Sequence, residues 1–251
     1  MDISDNPNTI TENLIQRSGI SVGMRVLDLG CGNGETSRLL AKVVGSTGEV
    51  VGVDLNESSL AEAREKLDSE GYENHQFVNV DISSFNKELG VFDAVFGRRV
   101  LMYVKDQERV LESLGLLLKS GGIFAFQESD STIVPSSSHP LPLHEKVNGW
   151  VWSTVAAEGG NIKTGFLLPS LLESCGYQVK SVRAEAILQG QNLHYPLSTV
   201  VKAILPRIIE KGVATADEID IDSLENRLLY EKKGNKVFVG DLVFSVLAVK
   251  L

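Results

Sequence analysis

Several things are scarce in this sequence. Only two of its 251 residues are cysteine, Cys31 and Cys175. Two cysteines make no disulfide framework, so nothing calls for an oxidising compartment, and no Cys/His cluster has zinc spacing; no metal is expected. No apolar run reaches the roughly 18 residues of a membrane span. The opening stretch MDISDNPNTITENL is polar and carries early aspartates, so neither a signal peptide nor a basic transit peptide is expected, and the cytoplasm is the expected location. Positive charge is also short: 24 Lys and Arg stand against 33 Asp and Glu, a net −9. Counterion release from nucleic acid needs clustered Lys and Arg, so no nucleic-acid partner is expected. Internal repeats and low-complexity tracts are missing too.

What is present is an ordinary globular composition, 43% hydrophobic and 23% charged. Residues 9–18 have the spacing of a short amphipathic helix, with Ile10, Leu14 and Ile15 on one side. Apolar strand runs follow at 25–29, 49–54, 76–80, 92–96 and 123–126. Helical patterns lie between them at 35–44, 58–70 and 107–118, the last stopped by Ser-Gly-Gly. This alternation predicts βαβ units and a doubly wound, mostly parallel α/β sheet over residues 20–130. Beyond it, 131–142 is read as loop, 143–158 and 165–174 as helices and 177–187 as a strand. Residues 196–232 are read as mostly helical, with Pro196 and Pro206 as punctuation, and 237–249 as a long final strand. One domain, 1–251, is expected. Two insertions, 131–163 and 190–235, would form a helical cap beyond the strand ends, while 164–189 and 236–251 complete the sheet.

The most informative stretch is RVLDLGCGNGE, 25–35. A strand runs into Gly30-Cys31-Gly32-Asn33-Gly34 and a helix follows. Bare backbone at such a turn permits tight folding and close approach of a ligand, so Gly32 is expected to tolerate no Cβ. The spacing is G-x-G-x-G rather than the dinucleotide G-x-G-x-x-G, whose last glycine is here Glu35. Glu35 at the helix mouth, and Asp28 before the first glycine, would repel a pyrophosphate, which disfavours an NAD-dependent oxidoreductase. They suit a cationic ligand, and S-adenosylmethionine carries an ammonium, a sulfonium and no phosphate. Asp54 ends the second strand, where a carboxylate can accept two ribose hydroxyls. Asp81 follows the third and can accept from an adenine amine, with Ile82 against the ring.

The ordered set VLDLGCGNG, VVGVDLN, VNVDI, FDAVFGRRVLMYV and LLLKSGGIFAFQE resembles the class I S-adenosylmethionine-dependent methyltransferases, and most of all their small-molecule branch of the ubiquinone and menaquinone biosynthesis type. The resemblance is close over about 10–130 and looser through GFLLPSLLESCGYQV and the last strand. It implies a Rossmann-like fold with an antiparallel final strand, S-adenosylmethionine as cofactor, and transfer of a methyl group to O, N or C of a small, partly apolar metabolite. It further implies that Gly30, Gly32 and Gly34, with Cys31 and Asn33 between them, cradle the methionine moiety, ordered by Asp28. Asp54 would bind the ribose with Leu55 beside the adenine, Asp81 and Ile82 would frame the adenine, and Gly97 and Arg98 would stand near the cofactor amine. Where many relatives place a histidine after the fourth strand, this chain has Met102-Tyr103.

A nucleophile that needs deprotonation needs a base. Glu128, after the fifth strand, and His144, opening the first insertion, are the catalytic candidates. Tyr103, Trp150 and His194 are the substrate-pocket candidates. Trp150 and Trp152, two apart on a helix, cannot both face one pocket. Arg98 and Arg99 could meet an anionic group, Cys175 reads as packing, and His75 and His139 read as loop residues. Alternatives are methylation of RNA or protein, or a cofactor-binding protein of this fold without methyl transfer. The oligomeric state is open, a homodimer included.

Overall fold

The computed structural model describes residues 7–84, 89–133, 135–193 and 195–251. Its sheet runs in the order β3-β2-β1-β4-β5-β8, with β7 on the far edge of β8. The strands are β1 (Arg25–Leu29), β2 (Glu49–Asp54), β3 (His75–Asn79), β4 (Phe92–Arg98), β5 (Leu118–Asp130), β6 (Ser136–Ser137), β7 (Tyr177–Gly190) and β8 (Val237–Lys250). β1 to β5 are mutually parallel. β8 runs antiparallel to β5 and to β7, as the resemblance implied. β6 lies in the stretch read as loop; it pairs with β8 just beyond the end of β5.

Helices cover both faces because the strands alternate. Leu27, Leu29, Phe124 and Phe126 face one cluster with α4 (Gln107–Leu117) and α6 (Thr164–Ser174). Val26 and Ala125 face the other, with α1 (Pro7–Ser18), α2 (Glu35–Val44) and α3 (Glu57–Ser69). A third cluster is the cap. It joins Val147 and Trp150 of α5 (Pro142–Ala157), Leu197, Val201 and Ile208 of α7 (Leu197–Glu210), and Leu224 and Leu228 of α9 (Ile221–Glu231), with the single turn α8 (Ala216–Ile219) between.

Most sequence boundaries hold within a few residues. β5 is longer than the expected 123–126 because its outer end continues to pair with β8 as far as Asp130↔Leu242. Pro206 lies inside α7 instead of ending it. His75 opens β3 rather than sitting in a loop. Among the described residues no helix is long and apolar enough to cross a membrane, and no group of three His, Cys, Asp or Glu could hold a metal ion.

Candidate active site

The loop between β1 and α2 is built on left-handed backbone. Gly30, Gly32 and Gly34 have φ of 64°, 52° and 78°, a region that costs residues with a Cβ. Their surroundings differ. A Cβ on Gly30 would lie 2.5 Å from Val100 Cγ2, and one on Gly34 2.8 Å from Ala63 Cβ. A Cβ on Gly32 would meet no atom within 4 Å. The expected intolerance at Gly32 is therefore not a clash within the protein. That glycine borders a cavity, and the Cβ would fill space left for something else.

Carboxylates brace this loop. Asp54 Oδ2 accepts from the Gly32 amide at 2.9 Å and Oδ1 from the Asn56 amide at 2.9 Å. A carboxylate has about four lone-pair sites, so two amides leave capacity for ligand hydroxyls. Asp28 is buried behind the loop, where Oδ2 accepts from Ser37 Oγ at 2.5 Å. Burial pushes its pKa up to about 7, against the opposing pull of Ser37 and the Arg98 charge. Glu35 is held the other way. Burial would raise it, but Arg38 at 2.9 Å and Lys66 at 3.4 Å outweigh that and keep it below the usual carboxylate range. An ionised carboxylate thus sits at the N-terminus of α2, where a phosphate would otherwise be welcome.

The cavity of about 280 Å³ joins this loop to the cap. Gly30, Cys31, Gly32, Asn33, Glu35 and Thr36 form one end; Arg98 follows from the last position of β4, Arg99, Met102 and Tyr103 from the segment after it, and Ser129 from β5. The cap contributes Asn148, Val151, Trp152 and Val155 from α5, then Tyr195, and Leu197, Val200, Ile204 and Arg207 from α7. Asp241 enters from β8. Its Oδ1 accepts from Asn148 Nδ2 at 2.9 Å and Trp152 Nε1 at 2.8 Å. Burial raises its pKa, against the lowering effects of Asn148, Trp152 and Arg99. Arg207 is already committed to Glu158 through Nε at 2.7 Å and through its Nη2. Arg99 has φ 52°, a left-handed conformation rare for a residue with a side chain, and donates its amide to the Gln127 carbonyl at 2.8 Å.

Comparison with known proteins fits this geometry. The family model described as "Methyltransferase domain" matches residues 20–193. The chain belongs to the methyltransferase-domain family. A demethylmenaquinone methyltransferase of Staphylococcus aureus (strain MRSA252) is 34% identical over 128 residues, 51% of this chain and 52% of that protein. The matched part of the chain spans about half the length of that relative. Among solved structures, a SAM-dependent methyltransferase from Aquifex aeolicus superposes with a TM-score of 0.57 at 17% identity, covering 98% of this chain and 90% of that one. The [4+2]-cyclase SpnF superposes with a TM-score of 0.61 at 19% identity, covering 97% and 81%. At such identities these two likenesses speak for the fold alone.

Of the residues singled out in the sequence as site candidates, the cavity gathers Gly30, Cys31, Gly32, Asn33, Arg98 and Tyr103. Cys31 is packing: its amide donates to the Val53 carbonyl at 3.0 Å, and burial pushes its thiol up and out of reach as a nucleophile. Gly97 is explained by packing, since a Cβ there would lie 2.5 Å from the Phe126 ring. Leu55 and Asp81 are exposed and Ile82 is half-buried, all off the cavity wall. Asp81 Oδ1 accepts from the Ser83 amide at 2.8 Å.

The two catalytic candidates lie elsewhere. Glu128 is fully buried behind the wall, where Oε1 accepts from the Val100 and Leu101 amides at 3.0 and 2.9 Å. It holds the turn that carries Met102 and Tyr103 to the cavity. His144 is buried at the start of α5, its Nδ1 2.7 Å from Glu231 Oε2, a carboxylate that also takes the Leu143 and His144 amides. Trp150 packs in the cap core, and Trp152 is the one on the wall. His194 lies outside the described residues. Asp241 was missed, although a lone carboxylate in the apolar run VFVGDLVFSVLAV was a readable signal.

Proposed function

We propose that the chain is an S-adenosylmethionine-dependent methyltransferase whose acceptor is an O, N or C nucleophile on a small, partly apolar metabolite. One observation carries the reading: a single cavity has the bare-backbone loop at one end and the apolar faces of α5 and α7 at the other. The free space over Gly32 and the ionised Glu35 fit a cationic, phosphate-free cofactor. S-adenosylmethionine, when bound, supplies an electrophilic methyl group open to in-line displacement.

In this reading Gly30, Gly32, Asn33 and Gly34 hold the methionine end, with Asp28 fixing the loop from behind. Asp54 takes the ribose through its remaining lone pairs, Leu55, Asp81 and Ile82 frame the adenine, and Gly97 and Arg98 stand beside the amine. The cap residues orient the acceptor and keep water out; orientation of this kind is worth roughly 7–11 kcal/mol in favourable cases. The apolar lining from Val151, Val155, Leu197, Val200 and Ile204 and the demethylmenaquinone relative support an acceptor with an apolar body. The net charge of −9 weighs against RNA.

Because a [4+2]-cyclase shares the fold, the test must read transfer itself. Incubation with S-adenosylmethionine and a metabolite extract should yield a product heavier by one CH₂ by mass spectrometry, with S-adenosylhomocysteine formed in equal amount. Asp54→Ala should weaken S-adenosylhomocysteine binding about tenfold or more, roughly 1.4 kcal/mol, by calorimetry. Unchanged affinity would remove Asp54 from the cofactor site.

A further inference from the structure

We infer that Asp241 is the proton acceptor of the cavity, taking the proton of an enol or phenol hydroxyl whose apolar body lies against α5 and α7. The inference rests on the methyl-acceptor reading above and adds the group that readies the nucleophile.

Asn148 and Trp152 are four apart on α5, so both reach the same side, and both donate to the same oxygen, Oδ1. Two donors on one oxygen fix the rotation of the carboxylate. Among the described residues no donor is placed on Oδ2, and the residue borders the cavity. The same cavity is lined by the apolar Val151, Val155, Leu197 and Val200 and by the polar Ser129, Tyr103 and Tyr195. A half-buried carboxylate oxygen at a cavity wall with no donor from the described residues is open to a donor that the occupant brings. The charged group facing Asp241 is Arg99, which makes no ion pair among the described residues; Arg207 is bound to Glu158. Burial also strengthens Asp241 as a base relative to an ordinary aspartate.

The step balances without a further reactant. The acceptor O–H bond breaks, an O–H bond forms at Asp241 Oδ2, and the electron pair stays on the acceptor oxygen, where it becomes the nucleophile. The Arg99 charge offsets the oxyanion. The proton returns to water when the product leaves.

The test uses Asp241→Asn with two probes, 4-nitrophenol and 4-nitroanisole. In the variant, Asn148 and Trp152 hold the amide oxygen in the Oδ1 place, so the NH₂ replaces Oδ2 and an acceptor becomes a donor without a change of shape. The wild-type protein should bind 4-nitrophenol about tenfold more tightly than 4-nitroanisole, with affinity falling as pH rises through the ionisation of the phenol. Asp241→Asn should reverse that pH trend, because an NH₂ favours nitrophenolate. Both proteins should bind S-adenosylhomocysteine alike. The same pH trend in both, or no preference for the phenol in the wild type, overturns the role of Asp241 while the cofactor reading stands. Failure of the wild type to bind S-adenosylhomocysteine overturns that reading and this inference with it.

Discussion

Adding one methyl group to Gly32, and separately to Gly30, distinguishes a cradle for a ligand from a loop that is merely tight. Both residues have positive φ, 52° and 64°. Alanine in that region costs roughly 1–2 kcal/mol, partly offset by about 0.4–1 kcal/mol of lost freedom in the unfolded chain. Gly32→Ala should therefore lose about 1 kcal/mol, or roughly 2–4 °C in melting temperature for a chain of this size. Gly30→Ala carries the same backbone cost and also drives its Cβ to 2.5 Å from Val100 Cγ2. Val100 is β-branched and its amide is pinned by Glu128, so it yields little, and overpacking adds about 1–3 kcal/mol. Stability thus falls mainly in the Gly30 variant. Binding should fall in the Gly32 variant by about tenfold to a hundredfold, since the same overpacking energy now acts against the ligand. Thermal denaturation and calorimetry with S-adenosylhomocysteine measure the two quantities separately. A Gly32→Ala protein that melts a few degrees low yet binds like the wild type refutes the cradle.

Two further predictions concern stability. Glu128 has its pKa pushed up to about 7 by burial, above its unfolded value near 4.5. Between those values the native state keeps a proton that the unfolded state has lost, so the contribution of Glu128 to stability falls as pH rises from about 4.5 to about 7. Urea melts should show Glu128→Gln gaining on the wild type between pH 5 and pH 8; a constant difference would mean the buried carboxyl is not titrating in that window. Trp150→Ala empties the cap core and should cost about 3–5 kcal/mol, whereas Trp152→Ala should cost less but loosen binding of 4-nitrophenol by freeing Asp241. Equal stability losses in the two variants would contradict their assignment to core and wall.

The glycine loop at one end of the cavity was legible because it is local. Gly30, Gly32 and Gly34 lie within one turn, and the strands that Asp54 ends and Asp81 follows are marked plainly by apolar runs. The other end of the cavity is not local. Asn148 and Trp152 come from α5, Tyr195 and Arg207 from around α7, Arg99 from the end of β4 and Asp241 from β8. Apart from Asn148 and Trp152, four apart on α5, no window of sequence holds two of these groups in their final relation, and the rotation of α5 decides between Trp150 and Trp152. Glu128 shows the same limit from the other side. Its position at the carboxyl end of β5 promised a substrate contact, but the chain folds Val100 and Leu101 onto it, and it ends fully buried and off the cavity wall.

The placement of charge along the sheet says why the chemistry belongs at one edge. Where the parallel strands begin, the charges are paired near solvent: Arg25 with Glu49 at 2.5 Å, and Lys119 with Asp93 at 2.6 Å. Such pairs contribute little and can be lost cheaply. Where those strands end, Asp28 on β1, Glu128 on β5 and Asp241 on the antiparallel β8 are all desolvated, and all three have raised proton affinity. Arg98 sits among them with its own pKa lowered to about 10, chiefly by burial and then by Arg99. Burying three carboxylates costs stability that leucine or valine would not. Asp28 and Glu128 recover part of that cost through hydrogen bonds to Ser37 and to the Val100 and Leu101 amides, and both hold loops in place. Glu128 and Asp241 each recover it on one oxygen, Glu128 Oε2 being buried without a partner among the described residues, and of the two only Asp241 borders the cavity. A folding requirement alone would be met by an asparagine there, which would satisfy the same two donors without a desolvated charge. The charge at Asp241 therefore points to an occupant of the cavity rather than to the fold.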